Sequence, residues 1–544
     1  MLLTLLDGYV DEPSCLGVPP YISPYVRYAA GAIVDAGHRC QYRTVDQWRQ
    51  GASLDGSALL IITGALVPGR YLRGMPMSYN EFHRITASFN GPVILGGSSA
   101  KHGIGHGGGR APRRVHDLVD YTAEKDADAF IYDLLHDTLR QRHRTKKEWQ
   151  RWALAGADVV TRHPDFPDTL LAEIETYRGC PRYLTGGCSF CMEPLHGRPE
   201  TRPADDIVEE TVRLYELGVR HFRLGCQSCF YSYSSRDIGT RETPRPNVAA
   251  IRRLLTGIRT LAPNIEVLHI DNANPAVVAT YPDEAAEITR LITRLCTAGN
   301  TVALGMETAD ERVRTANHIN ATPGQTLAAI RLINDLGARR GENGMPRLLP
   351  GINFLYGLLG ESSETFQKNR VFLRTVMQEQ LLLRRINIRQ VVPVRSQQAG
   401  TDTAALQAFK QEVNESVNRP MLRRITPRGT VLKDVYLEIH RGKNTFGRQI
   451  GSYPLLVCLP YREETGHFVD VKITGHGYRS ITGIAYPLDI NTASLDALTA
   501  LPEVGEKRAA RIITGRPYAD MSELAAVMDP GFDTAALSGW CRLG

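Results

Sequence analysis

Long hydrophobic runs are missing from this chain of 544 residues; no apolar stretch approaches the roughly 18 residues that a membrane-spanning helix requires. A helical membrane anchor is therefore not expected. The start, Met1-Leu2-Leu3-Thr4-Leu5-Leu6, is apolar but meets Asp7 too early for a secretory signal, and it reads as a first strand. Cysteine is scarce. There are 10 in all, three of them close together, which argues against a disulfide framework and for a reducing, cytoplasmic setting. A strong excess of either charge is also lacking: 64 Lys and Arg stand against 58 Asp and Glu, a net +6, which by itself implies no nucleic-acid partner. What is present, 42% hydrophobic and 22% charged residues, is the composition of a globular protein with real cores. The length predicts about three to four domains.

The expected fold class is α/β. Residues 1–165 read as a doubly wound, Rossmann-like domain with a basic linker helix. Short apolar runs at Leu2–Leu6, Leu59–Thr63 and Pro92–Leu95 alternate with helical stretches such as Tyr25–Ala36, ended by Gly37. Lys101 to Arg114 is glycine-rich and basic with no acid, and reads as a mobile surface loop. Arg140 to Arg151 holds six Lys or Arg against one Glu and reads as a solvated connecting helix or a nucleic-acid contact. Residues 166–400 read as a partial (β/α) barrel. The stripe Val208, Val212, Tyr215 stops at Gly218, and strands are expected at His221–Leu224, Glu266–Ile270, Val302–Leu304, Gly351–Tyr356 and Ile386–Val392. In such barrels chemistry sits at the C-terminal ends of the strands. A polar linker, 401–425, leads to a period of two from Thr430 (Val435, Leu437, Ile439; then Val469, Val471, Ile473). That predicts a small all-β barrel over 426–488. Residues 489–544 are helical again.

Cys180, Cys188 and Cys191 carry the chemistry. They stand in Tyr177-Arg178-Gly179-Cys180-Pro181 and Gly187-Cys188-Ser189-Phe190-Cys191, with seven residues between the first two and two between the last. Thiolates select zinc, copper(I) or iron–sulfur clusters. Three of them leave one iron of a [4Fe–4S] cluster open to a substrate or cofactor. A zinc knuckle completed by His196 is the other reading. The run resembles the radical S-adenosylmethionine (SAM) superfamily, with Phe190 as the aromatic before the last cysteine. The seven-residue spacer departs from the family's usual three. The resemblance implies that Cys180, Cys188 and Cys191 hold a [4Fe–4S] cluster whose open iron binds SAM. Reductive cleavage then gives a 5′-deoxyadenosyl radical that abstracts hydrogen from the substrate, and a reducing partner such as ferredoxin or flavodoxin supplies the electron.

Further markers carry the same resemblance. Gly225-Cys226-Gln227-Ser228-Cys229 stands where the family has Gly-Gly-Glu, so Gln227 is expected at the SAM amino group. Cys226 and Cys229 would then face the active site as a redox pair, a radical-bearing thiol or ligands of a second metal, or else be inert thiols. Gly305-Met306-Glu307-Thr308 resembles Gly-x-Glu-Ser, which places Glu307 and Thr308 at the SAM ribose. The run Gly357-Leu358-Leu359-Gly360-Glu361 resembles Gly-x-Pro-Gly-Glu, with Leu359 for proline and with Gly357 and Gly360 allowing approach to adenine. His269, Asp271, Asn272 and Asn274 crowd another strand end as a substrate lining or as loop caps.

The N-terminal domain resembles the cobalamin-binding-like domain that precedes many such cores. Its loop from Gly8 to Pro20 has no histidine, however, so cobalamin is possible without an axial-ligand motif. The β-barrel resembles the TRAM barrel of methylthiotransferases. Residues 419–448 carry eight Lys or Arg and two acids. The tail Leu501-Pro502-Glu503-Val504-Gly505-Glu506-Lys507-Arg508 resembles a helix–hairpin–helix, with Glu503 in place of its first glycine. Gly505, Lys507, Arg508, Lys443 and Arg448 are the expected nucleic-acid contacts. The tail itself has eight acids against five basic residues, which also admits a docking or purely structural hairpin. The expected function is a radical SAM enzyme acting on a nucleic acid, such as tRNA or another RNA. The alternatives are a cobalamin-dependent methylase of a protein or small molecule, and a zinc-containing nucleic-acid scaffold.

Overall fold

The computed structural model describes residues 1–12, 15–65, 71–106, 109–395 and 400–543. Its first sheet is wholly parallel, in the order Arg39–Thr44, Leu2–Asp7, Ala58–Ile62, Val93–Gly96, Tyr121–Thr122. Successive strand residues serve different cores: Leu3, Leu5, Leu60 and Ile62 pack on one side, and Leu6, Leu59 and Ile61 on the other. Near-continuous apolar strands are what a sheet covered on both faces requires. The first helix, Pro24–Asp35, begins on a proline, and Gly37 follows it at φ 80°. Within Lys101–Arg114, Ile104 and Arg113 pair in an antiparallel bridge, while Gly107 and Gly108 lie outside the described residues.

The second unit is an open barrel of parallel strands in two sheets. Leu171–Glu175, His221–Gly225 and Val267–Ile270 form one, and Asn300–Glu307, Leu348–Tyr356 and Arg385–Gln390 the other. A parallel bridge from Ala273 to Leu304 joins them. The edge at Leu171 is covered by Tyr21–Ile22, a short parallel strand from the N-terminal region. A paired edge offers no template to another chain.

The basic stretch 140–151 is mixed: Arg140, Lys146, Lys147 and Arg151 are exposed, as a solvated segment would have them, while Arg142 and Arg144 are drawn into ion pairs. Arg142 binds Asp133 and Glu148, and buried Arg144 binds Asp128 and Glu175. The helix Lys146–Ala155 starts with a capping box between Thr145 and Glu148 and buries Trp149 and Trp152. Buried aromatics of this size each remove on the order of 150–250 Å² from water, so this helix is a seam between the two units.

Downstream, Val431–Arg441, Asn444–Gln449, Leu456–Leu459, Ser480–Ala485 and Phe468–His476 close into a five-stranded barrel. Val435, Leu437, Val471 and Ile473 fill it. The tail is four short helices, tied back by pairing of Leu488–Asp489 with Cys541–Arg542. No helix among the described residues is long and apolar enough to cross a membrane.

Candidate active site

A cavity of about 1310 Å³ runs through the open barrel and is lined by Cys180, Cys188 and Cys191. The long spacer between the first two cysteines folds into one helical turn, Pro181–Thr185. Gly186 at φ 85° and Gly187 at φ 66° then return the chain to Cys188. Any Cβ on Gly187 would meet Pro194 at 2.3 Å, so this turn requires glycine.

Residues far along the chain fix the loop. The Asn317 carbonyl accepts from the Ser189 N–H at 3.0 Å, and its side-chain oxygen accepts from the Ser189 hydroxyl at 2.8 Å. The Arg395 guanidinium donates to the carbonyls of Gly186 (3.2 Å), Cys188 (3.3 Å) and Cys191 (2.5 Å). Arg182 donates to the Cys188 sulfur at 2.9 Å.

Burial pushes the Cys180 thiol up to about 11, Cys188 to about 12 and Cys191 well above its ordinary value. Metal binding reverses such a bias, because a coordinated thiol is deprotonated. Among the described residues only Cys15, Glu173 and Cys226 bring three ligand atoms within 4.8 Å of one another. At least one pair of the 180/188/191 sulfurs therefore stands more than 4.8 Å apart. Three cysteines on one cavity wall are a donor set that fits an iron–sulfur cluster with one open iron.

Gly305 and Glu307 line the same cavity. Glu307 sits at φ 56° beside a strand irregularity, and burial raises its carboxyl to about 8. Other expected residues turn elsewhere. Gln227 is fully buried and spends its amide on Thr176, Leu224 and Asp271, bracing two strand ends. Cys226, at φ 55°, turns back to Cys15 and Glu173, and the Cys229 sulfur accepts from the Asn274 N–H at 3.2 Å. Both thiols are buried outside the cavity lining, and they diverge instead of pairing. Thr308 accepts from the Asp310 N–H at the start of the next helix. Gly357 and Gly360, both at positive φ, lie outside the lining; their loop is held by Asn317 through Leu359 and so supports the cysteine loop from behind.

Of the polar group near 270, Asn272 and Asn274 line the cavity, and Asn274 caps a helix as well. His269 accepts from the Ser452 N–H at 2.9 Å, with burial lowering its basicity to about 3. Asp271 pairs with Arg223, which also holds Glu173; all three are fully buried.

The expected nucleic-acid contacts divide. Arg448 is buried against Glu438 and faces the cavity. Arg508 is taken by Asp529 and the Glu503 carbonyl. Gly505, Lys507 and Lys443 are exposed. Glu503 adopts φ 63°, the left-handed conformation that a glycine there would supply. Residues 8–20 hold no histidine, and a Cβ at the Gly97 turn would strike the Thr63 carbonyl at 2.4 Å, so the chain itself fills that turn.

A family profile covers the residues of this site. The radical SAM superfamily profile matches residues 174–372. An uncharacterized protein of Methanocaldococcus jannaschii is 44% identical over 506 residues, covering 88% of this chain and 92% of its own. Another, of Archaeoglobus fulgidus, is 38% identical over 97% of both. A tRNA-2-methylthio-N(6)-dimethylallyladenosine synthase of Methylobacillus flagellatus is 27% identical over 38% of this chain and 41% of its own, so the chain spans under half of that enzyme. Among solved structures, the cobalamin-dependent S-adenosylmethionine radical enzyme OxsB with aqua-cobalamin bound matches with a TM-score of 0.45 at 11% identity. That match covers 76% of this chain and 55% of OxsB, so the chain spans about half of it. With Cys180, Cys188 and Cys191 gathered on the barrel cavity, the chain belongs to the radical SAM superfamily.

Proposed function

We propose that this enzyme cleaves SAM reductively and uses the radical to modify an RNA. The observation that carries the reading is the single cavity joining the cysteine loop to a basic wall next to the β-barrel. Cys180, Cys188 and Cys191 would hold the cluster, and Gly305 and Glu307 would lie against SAM. When bound, these groups supply a 5′-deoxyadenosyl radical for hydrogen abstraction. The chain's own residues position and enclose. Asn317 and Arg395 fix the loop, Phe190 and Met192 give the cavity apolar walls, and the N-terminal domain closes the barrel's open side through Asp11, Glu12 and Leu16. Enclosure of this kind keeps water from a reactive intermediate. The relationship to a tRNA-modifying synthase and the exposed Lys443 and Lys507 support RNA as the substrate class.

Anaerobic reconstitution with iron, sulfide and SAM tests this. About four irons per chain are expected for one cluster, lost on replacing Cys180, Cys188 and Cys191 by alanine. 5′-Deoxyadenosine formation should rise when RNA is added. Turnover indifferent to RNA would remove RNA as the substrate class, and iron content unchanged in the triple variant would remove the cluster assignment.

A further inference from the structure

The strand Arg385–Gln390 gives the cavity a wall of positive charge, with no ion pair to its arginines among the described residues. The whole strand lines the cavity; Arg385, Asn387 and Arg389 are its more accessible residues, and Ile386 and Ile388 between them are buried. Arg384 lines the cavity as well. Among the described residues none of these three arginines has a carboxylate within 4.0 Å, whereas nearby Arg448 has Glu438. Asp11 is the acid acting on Arg385, and it also holds the Tyr71 hydroxyl.

The wall is built in advance. Arg385 lies 3.9 Å over the Tyr453 ring and donates to the Asn387 side-chain oxygen at 2.7 Å; Asn387 in turn donates to Asn353 at 2.7 Å. Arg384 donates to the Tyr453 carbonyl at 2.6 Å, and its Nε is buried with no partner. Burial, with Arg385 beside it, lowers Arg384 to about 10. Guanidinium groups held close without counter-ions favour an anion between them, and their planar forks match the oxygens of a phosphate.

We propose that Arg385 and Arg389, with Arg384 behind them, seat a phosphate of the RNA substrate while the nucleotide to be modified extends along the cavity toward the cysteine loop. This rests on the RNA reading above. A phosphate seat fixes register and leaves base identity to other contacts.

The test uses the full-length reconstituted enzyme with R389Q, which alters an exposed side chain, and R385Q read beside R385K. The expected result is a KM for RNA raised about tenfold or more, with kcat moved far less. The slope of log affinity against log salt should become shallower by about 1 in R389Q. R385K, which keeps the charge without the fork, should fall between native and R385Q. Native RNA affinity and salt slope in both R389Q and R385Q would overturn the seat while leaving the RNA reading intact. If the native enzyme neither binds RNA nor responds to it, that reading falls, and binding of inorganic pyrophosphate decides the seat. Binding lost in R389Q and R385Q keeps it as a phosphate site; no such binding overturns it too.

Discussion

Asn317 is buried, and its side chain accepts from the Ser189 hydroxyl and the Leu359 N–H while donating to the carbonyls of Val313 and Leu359. Asn317→Ala strips the Leu359 backbone of these partners, at about 1–3 kcal/mol for buried polar groups. It also releases the loop that carries Cys188 and Cys191. The expected outcome is a lower unfolding midpoint and less iron retained after reconstitution; native iron content would show that the loop holds its shape without this residue. The three cysteines were legible in the sequence because their chemistry is in the residue type. Asn317 and Arg395 were not, since they act on loop residues 128 and 204 positions away, and no local pattern marks that. Gln227 failed for a related reason: its position after a strand was read correctly, but a buried amide is claimed by whichever backbone groups lack partners. Asp7 gives a pH prediction. Burial raises its carboxyl to about 7 from an ordinary 3.8, against hydrogen bonds from the Tyr9 N–H and the Tyr42 hydroxyl. Well below pH 3.8 the acid is protonated in folded and unfolded chains alike. As pH rises to 7 the unfolded chain ionises first, so stability falls, by on the order of 4 kcal/mol in all, and then levels off. Asp7→Asn should flatten that slope in denaturation midpoints measured between pH 4 and 8.

At the scale of elements, one loop of the five-stranded barrel seats on the open barrel, beside other contacts such as Arg73 to Glu438 and Gln449 to the Asn343 carbonyl. Tyr21 donates to the Gly451 carbonyl at 2.9 Å, Ser452 N–H donates to His269, and the Tyr453 hydroxyl donates to Asp271 at 2.9 Å. A Cβ on Gly451 would lie 2.7 Å from the His269 ring, which is buried and cannot withdraw. Gly451→Val should therefore loosen this contact without unfolding the barrel. Hydrogen exchange should quicken at Tyr21–Ile22 and 450–454 while the strands from Val431 to Ala485 stay protected; unchanged exchange at the loop would mean that the interface tolerates the side chain. The strands on both sides of this interface were read from period two and from apolar runs. The docking was not, because His269 and Asp271 looked like a substrate lining and their partners lie 182 and 183 residues on. The stretch Arg140–Arg151 was legible only in part. Lys146 and Lys147 are exposed as their charge suggests, but the burial of Arg144 just before the helix was not legible, because its partners Asp128 and Glu175 lie 16 and 31 residues away.

Over the whole molecule the N-terminal sheet and the open barrel behave as one body. A boundary near 165 reads naturally from the sequence, yet Tyr21–Ile22 completes the barrel's edge across it. Fully buried Arg27, from the first helix, meets Glu210 on the barrel helix Ala204–Glu216, and Glu210 also binds Arg202 at 2.5 Å. Breaking a buried pair strands the remaining charge and costs about 3–5 kcal/mol, more than its net worth when intact. Glu210→Gln should therefore lower the unfolding midpoint and quicken hydrogen exchange in Pro24–Asp35 and Ala204–Glu216 together, since one ion network serves both. Loss confined to one helix would mean two independently folding units. A chain beginning at residue 166 makes the same point by a harsher route. It leaves the Leu171–Glu175 edge unpaired and Glu210 without Arg27, so it should aggregate or retain little iron on reconstitution. A monomeric, iron-replete 166–544 chain would show that the N-terminal domain only covers a barrel already able to stand alone.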